Sequence, residues 1–251
     1  MRKLYIICVL LLAFAQAFCQ SATKEQEVID KVWKGIGGKD KWEASRYIKF
    51  TYILEKDTEE VARHDHVWDR YTGFYRIDLT QNDGKQLEVI FNINTKEGKS
   101  YIDTAEVPDS INIKLLEKAY SYFINDSYWL LVPAKLEDPG VRITALPDTT
   151  INGLNCNVLT LSFDEGVGLT PGDRYWIYVN DKDGHIVRWN YILQDQDILN
   201  TVDWEPYINT GELMLSNEKT ETESNFSIKF PVIETSKVMD ENIFKAPNGL
   251  D

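Results

Sequence analysis

RHDHVWDRYTGFYRID, residues 63–78, holds two of the three histidines of this 251-residue chain and alternates side chains with a period of two. On a strand, His64, His66 and Trp68 share one face, while Asp65 and Val67 take the other. Thr72-Gly73 is a turn signal, and FYRID resumes the same period beyond it. Two such runs joined by a tight turn predict an antiparallel hairpin.

Working outward, RYIKFTYILE (46–55), KQLEVIFNI (85–93) and KSYID (99–103) also read as strands, with Asn82-Asp83-Gly84 as a turn. After residue 141 the pattern returns in VRITAL, NCNVLTLSF, RYWIYVN and HIVRWNYIL, then over 197–205, 212–222 and 226–235. Asn152-Gly153 and Asp183-Gly184 are hairpin corners. Trp176, Tyr178, Trp189 and Tyr191 flank the second corner and are expected to pair across it. GVGLTPG (166–172) reads as a flexible loop.

Two segments break the period. In TKEQEVIDKVWKG (23–35), Val28, Ile29, Val32 and Trp33 fall on one helical face, Thr23 with Gln26 forms a capping box, and glycines end the helix. Residues 111–126, INIKLLEKAYSYFIND, return to helical spacing and lead into SYWLLVPAKLEDPG. So apolar a segment between two β regions is buried or lines a cavity. The chain is therefore expected to be mainly β (α+β). One long antiparallel sheet curls into an incomplete barrel around the N-terminal helix and the central helical insert. A sheet of that length encloses more space than its side chains fill, so a ligand cavity is expected.

The N-terminus decides where such a protein works. Arg2 and Lys3, the apolar run Leu4–Phe14 and a polar continuation read as a secretory signal peptide over 1–19, cut after 17 or 19, ahead of a single domain over 20–251. The expected location is the periplasm. Extracellular release and lipid anchoring through Cys19 are the alternatives, although Phe18 and Gln16 make a poor lipobox. Of three cysteines, Cys156 alone remains after the cut, so no internal disulfide can form and the core must hold the fold. A net charge of −13, from 27 Lys+Arg against 40 Asp+Glu, argues against nucleic acid and against anionic membrane surfaces. Asn180–His185 is a hairpin turn rather than a calcium loop, since it lacks the acid at the twelfth position.

Catalytic motifs are missing. There is no G-x-S-x-G, H-E-x-x-H or C-x-x-C, and GIGGKD lies after a helix and before a strand, the reverse of a phosphate loop. The expectation is a binding protein without enzymatic activity and without a cofactor. His64 and His66, with His185 as third candidate, could hold zinc, which would make a metal-dependent hydrolase the alternative. Otherwise the two histidines sit on a solvent-facing or cavity-rim strand beside Trp68. A third alternative is a structural module of the envelope whose concave side is simply filled.

Several stretches resemble bacterial outer-membrane lipoprotein-sorting carriers of the LolA type. VIDKVWKGIGGKDKWEASRYIKF (28–50) is similar to their opening helix, glycines and first strand. HVWDRYTGFYRID (66–78), RYWIYVNDKDGHIVRW (174–189) and MDENIFKAP (239–247) resemble further hairpins and the closing segment. INDSYWLLVPAKLEDPGV (124–141) is similar to a segment of exported Bacteroidetes-type proteins. The resemblance implies an incomplete barrel around helices, with an apolar pocket for acyl chains. The residues expected to frame a lipid or lipoprotein ligand are Trp68, Arg70, Tyr75, Arg76, Tyr120, Phe123, Tyr128, Trp129 and Leu131. Rings would line the tails and a guanidinium would meet the head group. A monomer in transient contact with envelope membrane proteins is expected.

Overall fold

The structure, a computed structural model, describes residues 22–247; the signal-peptide segment and Cys19 lie outside the described residues. Helix α1 (Lys24–Gly35) buries Val28, Ile29, Val32 and Trp33. Thr23 Oγ1 accepts the backbone N–H of Gln26. The Gln26 side chain does not return the bond, reaching Asp30 and Glu137 instead, so only half of the capping box forms. A short helix α2 (Lys39–Ala44), which periodicity did not signal, follows and buries Trp42.

Six strands come next: β1 (Tyr47–Lys56), β2 (Glu59–Asp69), β3 (Phe74–Thr80), β4 (Gln86–Asn92), β5 (Gly98–Ile102) and β6 (Ala105–Glu106). Helix α3 (Asp109–Leu131) crosses from this meander to a second. Its 23 residues run straight through Tyr128–Leu131, so the apolar segment continues the helix rather than following it. The second meander comprises β7 (Val141–Ile151), β8 (Leu154–Phe163), β9 (Arg174–Asn180), β10 (Ile186–Ile192) and β11 (Asn200–Trp204). A small hairpin, β12 (Tyr207–Asn209) with β13 (Met214–Ser216), precedes β14 (Glu218–Glu221), β15 (Phe226–Lys229) and β16 (Ile233–Ser236). The single strands expected over 212–222 and 226–235 are thus each broken in two.

Fourteen strands form one sheet in the order β6-β5-β4-β3-β2-β1-β15-β14-β11-β10-β9-β8-β7, with β16 also on β1. Every pairing between these strands is antiparallel, and the ends β6 and β7 do not meet, so the barrel stays open. β1 is the seam. Its N-terminal half pairs with β16 and its C-terminal half with β15, while Thr51 N–H donates to Val232 O at 3.0 Å between them. The free edge at β7 is blunted by α1, where the Glu25 carboxylate accepts the Ala145 N–H at 3.0 Å. The three helices and the inner sheet face share one apolar core.

The β9–β10 hairpin corrects one expectation. A register shift between Ile186 and Arg188 places Trp189 opposite Ile177 and Tyr191 opposite Tyr175. Such a bulge moves every later side chain by one pairing. Trp176 therefore faces Asn190 and Tyr178 faces Arg188, away from Trp189 and Tyr191. The corner of this hairpin presses on α1. Gly184, at φ +77, lies where a Cβ would stand 2.0 Å from Lys31 O. Gly84 has a similar φ of +86 with open space around it. Gly184→Ala should therefore cost roughly 3 kcal/mol, against about 1 kcal/mol for Gly84→Ala, in urea unfolding. Equal losses would mean that the contact between α1 and the hairpin is not tight.

Candidate functional site

Helix α3 lies over the inner face of the sheet. From β1 to β3 that face is lined by Ile48, Phe50, Tyr52, His64, His66, Trp68, Tyr75 and Ile77, all buried. Phe123 packs edge-on against Trp68 and Tyr75, at 5.3 and 4.9 Å between centroids. Three residues on, the helix places a carboxylate on the same buried stripe. Asp126 is 1% exposed. Its Oδ2 lies 2.7 Å from His64 Nδ1 and 3.0 Å from His66 Nε2. Tyr75 OH lies 2.8 Å from His66 Nδ1, and Asn125 Nδ2 donates to Asp126 Oδ1 at 2.9 Å. His66 stacks on Phe50 at 4.4 Å, and His64 lies 4.0 Å from the Tyr122 ring.

The electrostatics order the protons along this chain. Burial would raise the Asp126 carboxylate, but the hydrogen bonds from His64 and His66 outweigh it and hold it below the ordinary carboxylate range. Burial pushes the His66 imidazole down and the Tyr75 phenol well up. Tyr75 therefore keeps its proton and donates to His66 Nδ1. His66 is neutral and donates from Nε2, and both imidazoles donate to one ionised carboxylate oxygen.

The same C-terminal turns of α3 also shape a cavity. About 520 Å³ lies between the helix, β7 to β10 and the 164–173 loop. Its walls include Phe123, Tyr128, Trp129, Phe163, Tyr175 and Trp189, and Leu169 stands in the loop at 51% exposure. Asp173 fixes the base of that loop by accepting from Thr170 Oγ1, Tyr175 OH and the Gln194 N–H. Two donors of the wall, Tyr128 OH and Trp189 Nε1, are buried without an acceptor among the described residues. A second cavity of about 380 Å³ adjoins the first and shares Asn125, Trp129 and Tyr191 with it.

The residues singled out from sequence fall in different places. Phe123, Tyr128 and Trp129 line the large cavity. Leu131 is fully buried, Tyr120 lies beneath the Lys96 ammonium, and Trp68 and Tyr75 sit behind Phe123. Arg70 lies 3.6 Å from the Trp42 ring and donates to the Trp42 and Ser45 carbonyls. Arg76 is held by Asp78, Glu88 and the Ile243 carbonyl. Neither His64 nor His66 faces solvent, because α3 covers both, and His64 alone borders a cavity. His185 is not with them: it stacks on Tyr207 at 3.9 Å and its Nε2 lies 3.2 Å from Gly35 O. Sequence reasoning missed Asp126. Its signal was a carboxylate in step with Ala119, Phe123 and Leu130 on an apolar helical stripe.

Solved structures share this architecture. A DUF1329 family protein from Desulfovibrio piger superposes with a TM-score of 0.51 at 8% identity, over 89% of this chain and 98% of that one. A LolA superfamily protein from Nitrosomonas europaea gives 0.49 at 10% identity, with the same coverage. At such identities the likeness speaks for the fold alone. The class is thus an open half-barrel, shared with the DUF1329 structure: an antiparallel sheet, unclosed, with a long helix laid in its concave face. Over residues 2–243 the sequence matches the family of unknown function DUF6503, and the chain belongs to that family. No curated protein matches the chain in sequence.

The buried network generates its own test. Asp126→Ala would leave two buried imidazole N–H groups without an acceptor, at about 1–3 kcal/mol each. Tyr75→Phe would remove one neutral hydrogen bond, worth about 1 kcal/mol. Urea unfolding of both variants should rank them in that order. An Asp126→Ala protein as stable as the parent would mean that the helix is not pinned there.

Proposed function

We propose that this is an exported binding protein, not an enzyme, that buries the hydrophobic part of a lipid or of a lipoprotein acyl chain in the concave face. One observation carries the reading: the apolar, aromatic-walled cavity of about 520 Å³ beneath α3. Burial of apolar ligand surface there is worth about 25 cal/mol per Å². The unpartnered Tyr128 OH and Trp189 Nε1 add a polar preference, since a ligand oxygen would recover the cost of leaving them dry. The 164–173 loop, with its exposed Leu169 and two positive-φ glycines, is the segment that would open for exchange. The signal-peptide reading supports a periplasmic site of action.

Native mass spectrometry of gently purified protein should show a bound species that extracts as a lipid. Val141→Trp, which fills the wall, should weaken binding of a fluorescent acyl probe by about tenfold or more with the fold retained. A bare polypeptide that takes up no probe would remove this reading and leave a filled structural module.

A second reading rests on a separate observation. His64 Nδ1, His66 Nε2 and Asp126 Oδ2 all lie within 4.8 Å of one another. Two imidazoles and a carboxylate form the three-ligand set of a catalytic zinc, with a fourth position for water. Tyr75 would then accept from His66 Nδ1–H and fix its tautomer. His64 opens toward a third cavity of about 390 Å³, lined also by Arg63, Lys118 and Tyr122. This is the constellation of a metal-dependent hydrolase. Elemental analysis of protein purified without chelator should find one zinc per chain, lost in Asp126→Ala; metal-free protein that takes up no zinc on dialysis would exclude it.

A further inference from the structure

Lys219 is the charged group that the fold leaves unexplained. It lies on β14, its side chain is 1% exposed, and it lines the smaller cavity. Its Nζ donates to the Ser216 carbonyl at 2.6 Å and lies 4.7 and 4.5 Å from the Trp204 and Phe230 rings. Among the described residues no carboxylate stands within ion-pair distance of it. Glu221 lines the same cavity, two residues along the strand, and its carboxylate instead accepts from Ser224 Oγ. The other cation at these cavities, Lys135, is already paired with Asp138 at 3.4 Å. Trp204, whose ring lies against the Lys219 amine, also carries a buried indole N–H with no acceptor among the described residues.

A buried amine with no counter-ion is stable in two ways: it gives up its proton, or an anion joins it. Nothing in the sheet supplies that anion, whereas the cavity leads from Lys219 past Asn125, Trp129 and Tyr191 into the large apolar one. We propose that Lys219 receives the acid group of an amphiphilic ligand, a long-chain carboxylic acid whose tail lies in the aromatic cavity. This names the ligand class for the binding function above and rests on that reading. Burial pushes the Lys219 amine well below its ordinary value, which favours its neutral form. The incoming carboxylic acid transfers its proton to Nζ, and the product is a carboxylate–ammonium pair with no net change of charge. No covalent bond forms. An ester or an alcohol has no such proton to give and gains nothing at Lys219.

The test is displacement of a fluorescent acyl probe from delipidated protein by palmitic acid, methyl palmitate and hexadecanol. The parent protein should prefer the acid by about tenfold or more. Lys219→Met, close in length and apolar, should bind the ester as before and lose the preference. Equal binding of acid and ester by the parent, or an unchanged preference in Lys219→Met, overturns the proposal. Failure of all three to bind instead overturns the binding function, and this proposal with it. A measurement on the unaltered protein guards against a variant that does not fold. Carboxyl-13C palmitate bound at mildly acidic pH should report an ionised carboxylate, where the dispersed free acid is protonated. A protonated bound carboxyl overturns the proposal.

Discussion

The concave side of this molecule depends on one carboxylate. Asp126 is carried into the core on α3 and held between two imidazoles from β2, through a single oxygen. An isolated carboxylate there would cost far more than the helix gains by burying its neighbours. The pair of histidines makes the depth acceptable, and in return the helix has one register against the sheet. A slide by one turn would strand the charge among rings. Apolar packing of Phe123 against Trp68 and Tyr75 supplies attraction, but rings tolerate sliding; the hydrogen bonds do not.

On the opposite flank of these same helical turns, toward the second meander, the cavity of about 520 Å³ opens. There Tyr128 and Trp129 pack on Phe163, Trp189 and Tyr191 at 4.9–6.1 Å between ring centroids, and the cavity lies beside these rings. The fold so divides its interior: a packed, polar-pinned side under the first meander and a hollow, aromatic side under the second. The convex face is laced by ion pairs such as Arg188–Asp203 and Arg76–Glu88, each between neighbouring strands.

Much of this was legible in the residues. Period-two runs around tight turns give the meanders, and two helical segments at the right places give the filling. The breaks were harder to see. The interruption at Phe230-Pro231-Val232 splits the last strand, because β1 is long enough to hold two partners in succession. The bulge in β10 has no marker in IVRWNYI, so the aromatic pairing was misassigned by one residue. The site divided in the same way. Phe123, Tyr128 and Trp129 stood out because their segment is too apolar for a surface, whereas Lys219 looked like any charge in a polar strand. Its burial follows from the Ser216 carbonyl at the end of β13 and from the rings of Trp204 and Phe230, which the sheet brings in from β11 and from just beyond β15. Asp126 and the histidines are some sixty residues apart, a separation that local periodicity does not bridge.

The seam at β1 has a temporal side. Ile53 pairs with Arg63 on one flank and with Lys229 on the other. The first partner is made within moments of the strand itself; the second follows about 170 residues later in synthesis. Until it arrives β1 is an open edge, apolar and ready to pair with any passing strand. Contacts of such sequence separation also close slowly. The sheet is thus closed late, and the interval before that is when the chain is most exposed to aggregation.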